Sequence, residues 1–343
     1  MSLGQDSYSR RGLRVLVALC GFLALPVGAA RADDFYRGKT VNIIVGYSAG
    51  GGYDQYARTL ARHMPRHIAG QPTMVVQNLP GAASLLAVRH IESSAPRDGT
   101  AIAMFDPGLI TAHLGPDGTP KLDLTQFRWI GAMLRDVRVC YAWGATGVRT
   151  WEDLVRRKEF LIGATARGAN AYVNGVILRR VMDAPVRQIA GYPGSNEQRM
   201  AVERGELEGN CASWSALPPE WMVGQKVNVF ARFSTKRPSD MPENIPYIGD
   251  LTKDEVKKEL IAVLNAPGEL GRPFVLAKQV PDERVTMLRA AFDAMLRDPA
   301  FLDEMKRQTL PLDPVSGEEA EDMVRQIYAT KPAVLKKVVE ILE

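Results

Sequence analysis

The sequence predicts an α/β protein in two halves, each a doubly wound sheet with flanking helices. Short apolar runs rich in β-branched residues alternate with stretches of helical spacing. The alternation pauses at the polar Gly/Pro segment Gly115 to Lys121 and then restarts. The chain also has 343 residues, more than one ordinary core holds.

The first half opens on Thr40 to Arg58, TVNIIVGYSAGGGYDQYAR. Val41 to Gly46 reads as a buried strand, Tyr47 to Tyr53 as a glycine loop, and Asp54 onward as a helix carrying Tyr56, Leu60 and Met64. Thr73 to Gln77 is the second strand, Asn78 to Gly81 a second loop, Ala82 to Ser94 a helix and Thr100 to Phe105 the third strand. This β-α-β-α-β order is the signature of a parallel sheet. Phe127 to Leu134 leads to Val137 to Trp143, where the chain is expected to cross to the second half. There Thr150 and Asp153 form a capping box, followed by a strand at Phe160 to Gly163 and a helix at Asn170 to Met182. Strands at Val186 to Ala190, Glu208 to Ala212 and Val227 to Phe233 follow, with a helix at Asn196 to Arg204. Lys253 to Leu264 reads as a helix, and Arg272 to Leu276 as a strand returning to the first half. The tail reads as helices Asp282 to Arg297, Pro299 to Arg307 and Ser316 to Leu342, the last with a Ser316 to Glu319 capping box.

Residues 1–32 read as a signal peptide. Arg10, Arg11 and Arg14 precede an apolar Val15 to Leu25, and Ala30-Arg31-Ala32 fits a cleavage site after Ala32. The arginine pair leaves both the general and the twin-arginine export routes open. Of the formal +4 charge, this segment carries four arginines and one aspartate, so the remainder is +1. That near-neutral remainder lacks the basic face a nucleic-acid binder needs. Periplasmic location follows from this segment. Cys140 and Cys211 both sit in apolar runs; export permits a bridge, and two buried thiols fit equally well.

Glycines at a strand end let a ligand approach the backbone, and the first N–H groups of the next helix have no internal partner. Gly46, Gly50, Gly51 and Gly52 match neither the dinucleotide spacing nor the P-loop, so a nucleotide is not favoured. An anion held by the backbone is expected at Tyr47, Ser48, Ala49, Gly50, Gly51, Gly52 and Tyr53, with Asp54 capping the helix or receiving a ligand donor. Asn78, Pro80, Gly81 and Ala82 form a second such loop. Ala166, Arg167, Gly168 and Ala169, and then Tyr192, Gly194 and Ser195, do the same in the second half. Trp214 is a candidate wall, and Arg167 is the one cation in these loops, suited to a carboxylate. If both sheets aim their C-terminal edges at one cleft, the four loops face each other. No cofactor and no metal site is expected: His63 and His67 lie four apart without an H-E-x-x-H pattern and read as a solvated pair. No G-x-S-x-G elbow or other nucleophile motif marks an enzyme.

These residues carry a resemblance. The chain resembles the extracytoplasmic solute receptors of the tripartite tricarboxylate transporter family, often called Bug receptors. The signature stands as Gly46-Tyr47-Ser48-Ala49-Gly50-Gly51-Gly52-Tyr53-Asp54 with Ala57-Arg58, and Gln77-Asn78-Leu79-Pro80-Gly81-Ala82. Ala95-Pro96-Arg97-Asp98-Gly99-Thr100, Gly191-Tyr192-Pro193-Gly194 and Asp298-Pro299-Ala300-Phe301 extend it. The resemblance implies a two-lobed periplasmic binding protein fold (type II-like) and a small organic carboxylate held by loop N–H groups and waters. It also implies delivery to integral membrane transporter subunits, with the receptor a monomer. Expected boundaries are lobe 1 at 33–135 and 271–343, and lobe 2 at 136–270. A sensor of the same fold is the alternative, a periplasmic hydrolase a more distant one. The sequence departs at Gly46, where the family commonly has Pro, at Gly52-Tyr53 (Ser-Thr), at Gln77 (Glu) and at Arg167 (a small or neutral residue). Those departures bear on the ligand rather than the fold.

Overall fold

The computed structural model describes residues 35–116 and 121–343, together with residue 1. The expected signal peptide and its cleavage site lie outside the described residues, as does most of the Gly115 to Lys121 loop. Asp33–Glu343 form one compact unit carrying two sheets.

The strands in chain order are β1 (Thr40–Val45), β2 (Thr73–Asn78), β3 (Ala101–Met104), β4 (Arg128–Leu134), β5 (Arg138–Trp143), β6 (Phe160–Ala164), β7 (Val186–Ala190), β8 (Gly209–Ser213), β9 (Val227–Arg232), β10 (Gly271–Leu276) and β11 (Val315–Ser316). The first sheet runs β11-β4-β10-β3-β1-β2 and the second β7-β6-β8-β5-β9. β1 pairs in parallel with β2 and β3, as the β-α-β-α-β order requires. Both sheets are nevertheless mixed. β10 runs antiparallel to β3 and β4, and β5 antiparallel to β8 and β9. The reason is the crossing. β4 carries the chain out of the first lobe and β10 brings it back, so the two must oppose each other; β5 and β9 do the same in the second lobe.

Each sheet has its own core. Val41, Ile43, Val45, Ile102, Trp129 and Phe274 are fully buried in the first. Phe160, Ile162, Leu178 and Phe230 form one face of the second, and Tyr141, Val202 and Trp221 the other. Each such side chain contributes roughly 1.5–3 kcal/mol on burial. Local signals place the helices: Thr150 and Asp153 form the reciprocal capping box at Trp151–Val155, and Ser316 accepts from Glu319 N–H.

The tail differs from the single expected helix. Gly317–Tyr328 and Pro332–Leu342 are separate. Pro332 lacks the N–H and forces the residue before it out of the helical region; Lys331 sits at φ −49°, ψ 130°. That break carries the last helix to the second lobe, where Leu335, Val338 and Val339 join the Phe160 cluster. The segment 271–343 is therefore not all first lobe. Cys140 and Cys211, directly opposite on β5 and β8, form a disulfide.

Candidate functional site: the cleft between the lobes

The glycine loop leaves β1 and enters the helix Gly52–His63. Asp54 does not cap that helix, whose N-cap Gly51 receives no side-chain bond. Its carboxylate instead accepts from Gly50 N–H, Arg58 Nε and Asn78 Nδ2, each at 2.9 Å. Asn78 Nδ2 also donates to the Tyr47 carbonyl at 2.9 Å. Asp54 and Asn78 thus clamp the two loops of the first lobe together. Burial opposes the Asp54 charge, but the bonds from Arg58, Gly50 and Asn78 outweigh it and hold the carboxyl below its usual range.

Gly46 owes its place to the second loop. A Cβ there would lie 2.1 Å from Ser84 Cβ. Ser84 ends a run of three non-glycine residues at positive φ, Ala82, Ala83 and Ser84. Such residues cost of order 1–3 kcal/mol each, and the run is held by its surroundings. Ser84 Oγ accepts from Asp106 N–H at 2.7 Å, which fixes the loop after β3.

Asp106 is the residue through which the lobes meet. It is buried, and its carboxylate accepts from Tyr47 Oη at 2.6 Å, Gly108 N–H at 2.8 Å and Asn170 N–H at 3.1 Å. Asn170 belongs to the second lobe, so this carboxylate bridges the cleft. Burial pushes its pKa up, against the opposing pull of Arg138 and of these donors. A second bridge runs from Ser48 Oγ to Glu197 at 2.9 Å. It passes over Gly194, where a Cβ would sit 2.3 Å from Ser48 Oγ. The lobes are therefore closed on each other, and a cavity of about 50 Å³ lies between them under the glycine loop.

Two buried arginines form the floor of this cavity. Arg272, 2% exposed, follows Gly271 at the start of β10 with φ +60°, a backbone outlier at the point where the chain returns to the first lobe. Its guanidinium lies over Tyr53, 4.4 Å from the ring centre, and Nη2 donates to Ser213 Oγ at 2.9 Å. Nη1 is 3.5 Å from Asp136. Arg138 is 3.6 Å from the same carboxylate and donates to Asn174 Oδ1 at 3.2 Å. Ser213 Oγ completes the cluster by donating to Asp136. Burial works against the Arg272 charge, yet Asp136 and the flanking tyrosines raise its pKa overall, so it stays charged. Its Nε and Nη1 have no hydrogen-bond partner among the described residues, nor does Nε2 of the buried Gln198. All three atoms belong to residues lining the cavity.

Of the expected site residues, Tyr47, Gly51, Gly52, Tyr53 and Ser195 line this cavity. Ser48, Asp54, Asn78 and Gly194 stand behind it as clamps and close contacts. Ala49, Gly50, Pro80 and Ala82 are exposed, and Gly81 adjoins them half-buried. Arg167 is also exposed, so it is not the cleft's cation; the half-buried Ala166 beside it and the buried Gly168 and Ala169 shape that loop's turn. Tyr192 is half-buried outside the cavity, and Trp214 faces away, donating to Asp240 at 3.0 Å. The expected solvated histidine pair is instead engaged. His63 is buried against Glu304, and His67 lies 2.9 Å from Asp298. Among the described residues there is no group of side chains suited to a metal ion. Sequence reasoning missed Asp106, Asp136, Arg138, Gln198 and Arg272. The signal for the arginines was a charge inside each of two apolar strands.

Similarity to solved structures decides the fold class. BugD, a periplasmic binding protein, superposes with a TM-score of 0.71 over 88% of this chain and 98% of its own, at 21% identity. The fold is that of the Bug and TctC solute-binding proteins. MatC of Rhodopseudomonas palustris, solved with malate, gives 0.67 over 89% and 99% at 17% identity. A second R. palustris protein, solved with adipate, gives 0.68 over 89% and 97% at 20% identity. In sequence the chain is 37% identical over 95 residues to a "UPF0065 protein in gbd 5'region" of Cupriavidus necator. That match spans 28% of this chain and 28% of the relative. No family model matches the chain.

Proposed function

We propose that this chain is a periplasmic receptor that closes two lobes over a small organic carboxylate and delivers it to integral membrane subunits of a tripartite tricarboxylate-type transporter. One observation carries the carboxylate: a buried, charged Arg272 whose Nε–H is unpartnered in the cleft. Buried donors of this kind are costly unless an acceptor fills the site. A guanidinium N–H forms a charge-assisted bond to a carboxylate oxygen. The ligand would touch Tyr47, Gly51, Gly52 and Tyr53 from the first lobe and Ser195 and Gln198 from the second. Contacts to both lobes favour closure, and closure creates the surface that a membrane partner reads. Malate and adipate in the structural neighbours support the ligand class, and the export segment at 1–32 supports the compartment.

The test is a thermal-shift panel of organic acids, amines and sugars. A ligand at 100 times its Kd adds about 2.7 kcal/mol of stability. An organic acid is expected to raise the melting midpoint. A shift produced only by sugars or amines would overturn the reading.

A further inference from the structure

We infer that a second cavity, beside the segments that cross between the lobes and apart from the one under the glycine loop, binds a small primary amine with an apolar body.

This cavity has a volume of about 370 Å³, inside the range of roughly 300–1,000 Å³ found for small-molecule sites. Both lobes wall it. Met323 and Ile327 come from the helix Gly317–Tyr328 of the first lobe, and Phe233 and Val263 from the second. These side chains suit an apolar body. Two carboxylates supply the polar end. β4 and β10 pair Leu134 with Gly271; continued two residues beyond that pair, the register reaches Asp136 and Glu269, and both line the cavity. The partners of Asp136 all meet one oxygen: Ser213 Oγ donates to Oδ2, and Arg138 and Arg272 lie 3.6 and 3.5 Å from it. Oδ1, on a residue only 3% exposed, has no partner among the described residues. Glu269 has Arg135 at 4.0 Å, too far for a hydrogen bond.

Charge selects the ligand. Arg138, the cation of the lining, donates to Asn174 Oδ1 at 3.2 Å, Ser213 Oγ at 3.4 Å and the Cys211 carbonyl at 3.5 Å. Two carboxylates against one guanidinium leave the lining at −1. The charges behind it cancel, since Asp106 attracts Arg272 and Glu319 accepts from Arg135. An ammonium group restores neutrality and brings three donors to oxygens that lack them. A carboxylate would add a third like charge. A neighbouring hollow that Asp136 also borders has three cations against three aspartates and offers no such excess. Asn174 Nδ2 donates to Asn265 Oδ1 at 3.2 Å and so leaves Asn265 Nδ2 unpartnered. A neutral oxygen, not a second cation, can meet that donor.

Calorimetric titration of the protein with phenethylamine, tyramine and cyclohexylamine against 2-phenylethanol, cyclohexanol and 3-phenylpropionate tests this. At least one amine is expected to bind tenfold or more tightly than every alcohol and acid of the set. Glu269→Gln removes one charge at a half-buried position and keeps the shape; it is expected to weaken that amine fivefold or more. An alcohol or the acid binding as tightly as the best amine overturns the inference, as does binding of none of the six. A loss below fivefold in Glu269→Gln places the amine elsewhere and overturns it too. Failure of every organic acid to bind would overturn the receptor reading and leave this inference standing.

Discussion

Replacing Arg272 by lysine keeps a cation beside Asp136 and removes the planar fork. Lysine presents a point charge on a flexible stem, so the Nε–H and the stack on Tyr53 are lost together. Each net hydrogen bond to a charged partner is worth about 1.5–3 kcal/mol. Lysine has no counterpart of the Nε–H that Arg272 offers a carboxylate, so binding should weaken by about 1.5–3 kcal/mol, roughly 10- to 150-fold in Kd. Stability should fall far less. The loss of the cation–π contact costs on the order of 1 kcal/mol, and the Asp136 charge keeps Arg138 and Ser213 as partners. Calorimetry with the best organic acid measures the first quantity, and urea unfolding the second. An affinity within about twofold of the unmodified protein, with the fold intact, would refute the assignment of Arg272 to the ligand. Arg167→Ala is the control: that side chain is exposed, and its removal should leave the affinity unchanged.

Gly46→Ala should destabilise the first lobe by about 1–3 kcal/mol or more, because its methyl group collides with Ser84 Cβ. Ser84→Gly in the same chain should recover part of that loss in urea unfolding, since it removes the 2.1 Å contact and suits φ +69° while Ser84 Cα stays 2.8 Å away; a double variant no more stable than the summed losses of the two single variants would count against the explanation. Asp54→Asn should cost about 2 kcal/mol at pH 7, because the amide cannot accept from Gly50, Arg58 and Asn78 together. The folded pKa of Asp54 lies below the unfolded value of about 3.9. Its stabilisation is therefore full above that unfolded value and is lost as pH falls through the folded one. The stability gap between the two proteins should stay constant from pH 7 to about pH 5 and shrink on further acidification; a gap that widens in acid would contradict the clamp.

The order of elements is legible along the chain because it rests on local physics. Apolar periodicity marks β1 and its helix, Thr150 and Ser316 start helices through bonds to residues three positions on, and glycine placement ends the strands. The glycine loop and the Asn78 loop could likewise be read as two walls of one site. Pro332 was also visible, yet the tail reads as one helix when its apolar spacing is weighed above the proline.

Local chemistry along the chain thus sets the α/β alternation, the strand-end loops and the expectation of a cleft between two halves. Tertiary structure decided what the cleft presents. Ser213 meets Asp136 from 77 residues away and Arg272 from 59, and Asp106 reaches Asn170 across 64. No periodicity encodes such meetings, because they follow from which strands cross between lobes and in which order they pair. A charge inside an apolar strand signals that a partner exists; only the packed sheets show that Arg272 meets Asp136 and Ser213 and leaves its Nε–H without a partner. The same packing turned the conspicuous loop residues Asp54 and Asn78 into clamps, since their polar atoms are consumed by the neighbouring backbone and by each other.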